Sequence, residues 1–134
     1  MNGRRDFLKK ALAAGGAAAV VGAARLNAAP TFPPGIVYTQ DAPGRWKGRE
    51  GAHVPKASVS EGTVKVVNTH PVTPAHYIVK HTLLTPEGKV LGEATFAHTD
   101  TPESTHTLPA GFKGTIWVTS FCNLHDLWLA EVTI

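Results

Sequence analysis

Short runs that alternate between apolar and polar residues occupy most of the chain from about residue 36 onward. β-Branched and aromatic residues repeat in them with a period of two, as in Thr63–Val67 (TVKVV), and this pattern is typical of strands with one buried face. Turn residues such as Thr85-Pro86-Glu87-Gly88 separate the runs. Seven runs can be recognised, at 36–39, 63–67, 76–84, 89–96, 105–108, 114–121 and 127–134.

The pattern predicts the fold class. No stretch after residue 30 has a convincing helical period, and about seven short strands are spread over about 100 residues. Strands without intervening helices bury their apolar faces against a second sheet. The sequence therefore predicts an all-β protein, an immunoglobulin-like antiparallel β-sandwich of about seven strands.

The first thirty residues follow a different pattern. Arg4-Arg5 and further charged residues up to Lys10 precede an Ala- and Gly-rich apolar run, 11–24, and small residues follow at Ala28-Ala29. This order is typical of a secretory signal, and the paired arginines before Phe-Leu-Lys are typical of the twin-arginine route. A membrane anchor is the weaker interpretation, because spanning takes about 20 strongly apolar residues. We expect a signal peptide at 1–29, a β-sandwich domain at 30–134, export to the periplasm and no stable membrane span.

The signal accounts for the basic character of the chain. Of the 13 Lys and Arg residues and 10 Asp and Glu residues, residues 1–29 hold five and one, so 8 basic and 9 acidic residues remain. A domain with a net charge of −1 gives no reason to expect nucleic acid as a partner.

The domain contains seven histidines and one cysteine, and their placement suggests a metal site. His53 follows the strandless region 40–52, His70 and His76 bracket HPVTPAH, and Cys122 and His125 form CNLH after a strand. A lone cysteine cannot form an intramolecular disulfide, and in an oxidising compartment it must be buried, paired with another chain or bound to metal. If these connections meet at one end of the sandwich, five nitrogen and sulfur donors converge there, a set that suits zinc, copper or iron.

The remaining histidines and the tryptophans have simpler interpretations. His81, His98 and His106 stand at strand or turn positions without a partner motif, and we expect them to be solvated. Trp117 and Trp128 are expected to be core residues.

Three motifs together resemble a known family. HVP at 53–55, HPVTPAHYI at 70–78 and CNLHDLW at 122–128 occur in this order, and from about Trp46 to the C-terminus the chain is similar to the superoxide reductases, that is, neelaredoxin and the iron-binding domain of desulfoferrodoxin. The resemblance implies the same seven-stranded sandwich and a mononuclear non-haem iron. His53, His70, His76 and His125 would be its equatorial ligands and Cys122 its axial ligand, with Cys122 and His125 also carrying the catalytic role. The activity implied is the one-electron reduction of superoxide to hydrogen peroxide.

Two positions depart from the family pattern. The family usually has a glutamate and a lysine before the first histidine, where this chain has Gly51 and Ala52. Lys47, Arg49 and Lys56 are the candidates to replace the missing cation. Asp126 stands where the family usually has glycine, and a positive φ is expected there, which aspartate tolerates better than most residues.

The resemblance also determines the expected partners. With one cysteine the chain cannot hold the second, four-cysteine iron centre of the family's two-iron members, so an external electron donor is expected, and homo-oligomers are common in the family. Two alternatives remain at this point: an exported iron or copper protein for electron transfer or sensing with little superoxide activity, and a metal-free interaction domain.

Overall fold

The computed structural model describes residues 32–134, which form two β-sheets with almost no helix. The predictions for residues 1–29 lie outside this part of the chain. A 3₁₀ turn, Gly44–Trp46, and a one-turn helix α1, Glu50–His53, are the helical pieces described. No helix in the described range has the length and apolar character that a membrane crossing needs. The strands are β1 (Val37–Tyr38), β2 (Lys56–Ser60), β3 (Thr63–Val67), β4 (Ile78–Leu84), β5 (Val90–Thr95), β6 (Glu103–Thr107), β7 (Thr115–Cys122) and β8 (Asp126–Thr133).

The strands form a five-stranded sheet of order β1-β8-β7-β4-β5 and a three-stranded sheet of order β2-β3-β6. This confirms the predicted β-sandwich. One strand pair corrects the antiparallel prediction, because β1 runs parallel to β8 with Val37 opposite Leu127 and Tyr38 opposite Trp128. The long connection that follows β1 imposes no hairpin, and the Tyr38 and Trp128 rings pack with their centroids 5.5 Å apart, so side-chain packing adds to the backbone pairing of these two strands.

Alternate residues of the strands build the core. Val64 and Val66 of β3 face Ile116 and Val118 of β7, all fully buried, and Leu83 of β4 completes the centre. This is the period of two that the sequence shows.

The two tryptophans have different environments. Trp128 is fully buried, as predicted. The prediction for Trp117 is wrong: its side chain is 39% exposed. Trp117 lies between Ile116 and Val118 on β7, and successive side chains of a strand point to opposite faces, so a core position for both neighbours places Trp117 on the outer face.

The strand registers gather several chain connections at one end of the sandwich. Lys56, at the start of β2, is opposite Val67, at the end of β3. In the other sheet Ile78, at the start of β4, is opposite Cys122, at the end of β7. The register of β4 against β7 shifts between Ile78 and Lys80, an irregularity of the kind often found next to functional sites. Helix α1, the β3–β4 connection and the β7–β8 turn therefore share this end.

Candidate metal centre

Five potential ligand atoms converge at this end of the sandwich. They belong to His53, His70, His76, Cys122 and His125, and all lie within 4.8 Å of one another. His53 is the last residue of α1, His70 and His76 belong to the β3–β4 connection, Cys122 ends β7, and His125 precedes β8. The structure thus brings together all five predicted site residues.

The four imidazoles are arranged as a square. Neighbouring rings have centroids 4.4 to 4.7 Å apart and are nearly perpendicular, with interplanar angles of 76 to 89°. The opposed pair, His53 and His76, is 5.8 Å apart and nearly parallel, at 24°. Around the square the order is therefore His53, His125, His76 and His70.

Cys122 lies beside this square. Its Sγ is 3.6 Å from Nε2 of His70 and 3.6 Å from Nδ1 of His125. These two nitrogens belong to opposite corners, so the sulfur lies in the plane midway between them. The arrangement has four nitrogens at the base and one sulfur on one side.

The donor set fits a metal ion. Nδ1 of His53 donates to the carbonyl of Arg49 at 2.8 Å, and Nδ1 of His70 donates to the carbonyl of Pro71 at 2.6 Å. In the neutral rings the lone pairs are then on the two Nε2 atoms, which face each other at 3.1 Å, a repulsive contact unless a cation lies between them. Ring nitrogens lie about 2.1 Å from such an ion, so two at a right angle are about 3.0 Å apart. Nε2 of His53 and Nε2 of His76 are each 3.0 Å from Nδ1 of His125.

Burial keeps the histidines in the neutral form that a metal requires. Desolvation lowers the pKa of His70 to about 4. Burial is also the main cause that lowers the pKa values of His53, His76 and His125, and the positive charge of Arg49 lowers all three further. At neutral pH these rings are therefore uncharged and present lone pairs.

Two opposing effects act on the pKa of the Cys122 thiol. It is fully buried, and burial raises its pKa, whereas hydrogen bonds from the backbone N–H groups of Leu124 and His125 oppose the rise. Those two N–H groups are placed to stabilise negative charge on the sulfur. A metal ion at the centre supplies the rest of the stabilisation, since a coordinating thiol is deprotonated outright.

Asn68 holds the turn that carries His53. Its side-chain N–H groups donate to the carbonyls of Ala52 and His53, at 3.1 and 2.9 Å. Its carbonyl oxygen accepts from Nε2 of His81 at 2.8 Å, and Nδ1 of His81 in turn accepts from the Ser104 hydroxyl at 2.8 Å. His106 contributes its Nε2 to the same hydroxyl oxygen at 2.9 Å. A buried polar chain between the two sheets thus ends on the backbone of a site residue.

These buried hydrogen bonds correct two predictions. His81 is fully buried and His106 is 8% exposed, so the expectation that both are solvated is wrong. The hydrogen bonds to Asn68 and Ser104 explain why these polar rings are stable in the core. The third histidine of that group, His98, is exposed as predicted.

Asn123 ties the two other ligand segments together. Its side-chain oxygen accepts from the N–H of Tyr77 at 3.0 Å, and its backbone N–H donates to the carbonyl of Tyr77 at 3.2 Å. Its side-chain nitrogen donates to the carbonyl of Ala75 at 3.0 Å. The turn that carries Cys122 and His125 is therefore fixed to the segment that carries His76.

Of the three candidate cations, Arg49 is the one whose charge shifts the pKa values of the site residues. Its positive charge lowers the pKa values of His53, His76 and His125 and also that of Cys122. The side chain is exposed and forms no ion pair with any of residues 32–134. Glu50, the next residue, accepts hydrogen bonds from the N–H of Gly48 at 2.8 and 3.1 Å.

Asp126 has the backbone conformation expected of it, with φ at +64°. Its Oδ2 accepts hydrogen bonds from Arg45 and, at 2.9 Å, from Nε1 of Trp46. The hydrogen bond from the Arg45 guanidinium is the largest cause that lowers the pKa of the Asp126 carboxyl, and the bond from Trp46 is the second. Its negative charge is therefore paired with a cation beside the site.

Sequence reasoning missed the residues that support the ligands. Trp46 packs on His125, Asn68 holds His53, and Asn123 joins two loops. Trp46 and Asp126 are 80 positions apart, so no local motif connects them. Asn68 and Asn123 do lie next to predicted ligands, in NTH and CNLH, and this proximity is the signal that could have identified them.

Comparison with known proteins agrees with this geometry. The sequence profile of the family described as desulfoferrodoxin matches residues 47–131. No curated protein matches the chain.

Solved structures give the same result. A variant of the superoxide reductase (neelaredoxin) from Ignicoccus hospitalis is 30% identical, with a TM-score of 0.64 over 78% of this chain and 98% of its own. Another variant of that protein is 27% identical with a TM-score of 0.67 over the same shares. A variant of the superoxide reductase (neelaredoxin) from Archaeoglobus fulgidus, in the reduced form, is 29% identical with a TM-score of 0.58 over 64% of this chain and 90% of its own.

Proposed function

The chain belongs to the desulfoferrodoxin family as an enzyme of the superoxide reductase type, and on this premise we propose which residues hold its iron and which prepare the site for superoxide. Its cofactor is a single non-haem iron, for which four histidines and one cysteine are the typical donor set. His53, His70, His76, His125 and Cys122 would hold it. The observation that carries this assignment is the square of four rings with Sγ equally distant from two opposite corners.

The reaction adds one electron and two protons to each superoxide and yields hydrogen peroxide. When bound, the iron supplies the electron through its ferrous and ferric states. The electron is replaced by an external donor, since Cys122 is the only cysteine in the sequence and no second thiolate-bound iron centre can form.

The protein's own residues prepare the site in three ways. Their burial keeps four imidazoles neutral, so the donor set adds only the charge of the thiolate. Backbone N–H groups of Leu124 and His125 hydrogen-bond the sulfur, and such bonds tune the potential of a thiolate-bound iron. The side of the square opposite Cys122 has no ligand among the residues of the cluster, which is where a small anion can approach.

The assignment is tested with iron-loaded protein. We expect one iron per chain, a visible thiolate-to-iron(III) absorption band after oxidation, and second-order consumption of superoxide in pulse radiolysis. Cys122→Ser is expected to remove the band and most of the activity. His98→Gln, which changes an exposed histidine outside the cluster, is the matched control and is expected to retain both.

Two outcomes would contradict the proposal in different ways. A folded protein that binds no iron would exclude the metal assignment. A protein with the absorption band but no reaction with superoxide would exclude the enzyme function and leave electron transfer or sensing at the same site.

We further propose that residues 1–29 are a twin-arginine signal and that residues 30–134 act in the periplasm. The support is the order of charged, apolar and small residues around Arg4-Arg5. Replacing both arginines, Arg4→Lys with Arg5→Lys, is expected to retain the protein in the cytoplasmic fraction. Unchanged fractionation of the double variant would contradict the proposal.

Association of subunits remains an expectation from the family, which sedimentation of the purified protein can check.

A further inference from the structure

The four histidines of the centre are not oriented by the same means. His53 and His70 each donate their outward Nδ1–H to a backbone carbonyl, which fixes the ring and the tautomer, as is usual for metal-binding histidines. His125 instead turns Nδ1 toward the other donors. Its Nε2 has no hydrogen-bond partner within residues 32–134, and neither has Nδ1 of His76, so no outward hydrogen bond orients either ring.

Trp46 provides a contact to His125. Its ring meets the ring of His125 edge to face, at a centroid distance of 4.6 Å and an angle of 82°. Trp46 itself is held by the hydrogen bond from its Nε1–H to Oδ2 of Asp126 at 2.9 Å. Because Asp126 directly follows His125, the bond links the tryptophan to the same turn that carries the ligand.

Arg45 adds an outer layer to this arrangement. It pairs with Oδ2 of Asp126, and its guanidinium lies 4.8 Å from the centroid of the Trp46 ring. The side chains of Arg45 and Asp126 are 64% and 38% exposed, and ion pairs so exposed contribute little. The bond from Trp46 to Asp126 is part-buried, so we expect it to contribute more than the ion pair to holding the tryptophan.

We propose that Asp126 is a positioning residue for His125 and that it acts by holding Trp46 against the imidazole. The pair of Trp46 and Asp126 does for His125 what a backbone carbonyl does for His53 and His70. This inference rests on the proposed iron site, but the contact joins protein groups alone and can be tested in metal-free protein. The left-handed backbone at Asp126, with φ at +64°, accepts glycine without strain, so the carboxylate can be removed with little change to the turn.

Four variants separate the possible roles. Asp126→Gly removes the acceptor, and Trp46→Phe keeps an aromatic edge but removes the N–H donor. Asp126→Asn retains an oxygen that can accept from Trp46. Arg45→Gln removes the ion pair and leaves the bond between Trp46 and Asp126.

The first measurement is the NMR spectrum of the histidine rings in metal-free protein. We expect the His125 signals to broaden or split in Asp126→Gly and Trp46→Phe and to stay single and sharp in Asp126→Asn and Arg45→Gln. The second is the affinity for Fe²⁺, measured by chelator competition. It should fall about tenfold in the first two variants, the effect typical of contacts that orient metal ligands, and change less than about threefold in the others.

The proposal would be overturned by unchanged His125 signals and unchanged Fe²⁺ affinity in Asp126→Gly. It would equally be overturned if Arg45→Gln and Asp126→Asn reproduced the losses of Asp126→Gly, because the carboxylate would then act through its charge. Should the wild-type protein bind no iron at all, the proposed function fails, whereas the ring signals still decide whether the contact orients His125.

Discussion

Arg49 combines two properties that suit the approach of an anion to the metal centre. Its carbonyl accepts from Nδ1 of His53, which anchors its backbone beside the site. Its side chain is exposed, and no acidic group among residues 32–134 pairs with it. The charge that lowers the pKa values of three site histidines has the sign that attracts an anion, so we expect Arg49 to serve as the cation that is missing at Ala52.

We expect Arg49→Gln to lower the second-order rate constant for superoxide several-fold at low ionic strength, because a cation beside an open site raises the local concentration of an anion. The loss should vanish near 1 M salt, where charges are screened beyond about 3 Å. Pulse radiolysis at several salt concentrations measures both. Lys89→Gln, in the turn between β4 and β5 at the opposite end of the sandwich, is the control. A loss that does not depend on salt would contradict steering by Arg49.

Single residues show what sequence can and cannot reveal about the site. The five donors occur in short motifs, and these motifs with the family resemblance were enough to predict a group that the structure brings together. The supporting contacts depend on partners far along the chain, such as Asn68 with His81 and Trp46 with Asp126. The burial of His81 has the same origin, because a polar residue in a strand is stable in the core only when distant partners complete its hydrogen bonds.

At the scale of elements, the two sheets meet closely where Gly92 of β5 faces His106 of β6. A Cβ atom added to Gly92 would lie 2.5 Å from Nδ1 of His106. The imidazole cannot retreat easily, because its Nε2 is bonded to Ser104. The absence of a side chain at Gly92 therefore allows the sheets to enclose the polar chain that ends at Asn68.

Gly92→Ala is expected to reduce the free energy of unfolding by about 1–3 kcal/mol, the usual effect of overpacking a core. Gly51→Ala in α1 is the matched control. An added Cβ there meets nothing within 4 Å, and alanine is expected to be neutral or to stabilise by about 0.5–1 kcal/mol. Urea denaturation of both variants gives the comparison. Equal midpoints would show that β5 can move away from His106.

All seven predicted runs correspond to strands. Each of β1 and β3 to β8 begins and ends within two residues of its predicted run. Strand β2 was missed. Lys56–Ser60 is a mostly exposed edge strand, and although it alternates, its apolar residues are only Ala57 and Val59, which give a weak signal. Helix α1 has four residues, which is too short for a helical period.

For the whole molecule, the buried histidines couple stability to pH. Burial, and secondarily the neighbouring His106, lower the pKa of His81 from 6.5 to about 4. Between these two values the unfolded chain binds a proton that the folded chain does not, so acid favours unfolding. The neutral ring's contribution is complete above pH 6.5 and is lost as the pH falls toward 4.

We expect the metal-free protein to lose up to about 3 kcal/mol of stability through His81 between pH 7 and pH 4, at about 1.4 kcal/mol per pKa unit. His70, whose pKa is also about 4, adds to the slope. Urea unfolding with a chelator, at several pH values, measures the total. His81→Gln should be less stable at pH 7 but should show a clearly smaller decrease toward pH 4. Parallel curves would show that the buried ring does not govern the acid response.

The pairing of β1 with β8 bears on when the fold and the site are completed during synthesis. The ribosome delivers β1 and His53 early, but Cys122, His125 and the strand that β1 pairs with are among the last described residues to emerge. Contacts between distant parts of a chain form late. A nascent chain stalled before residue 122 therefore holds three of the four site histidines and no thiolate, so the complete donor set exists only after the last part of the domain has been made.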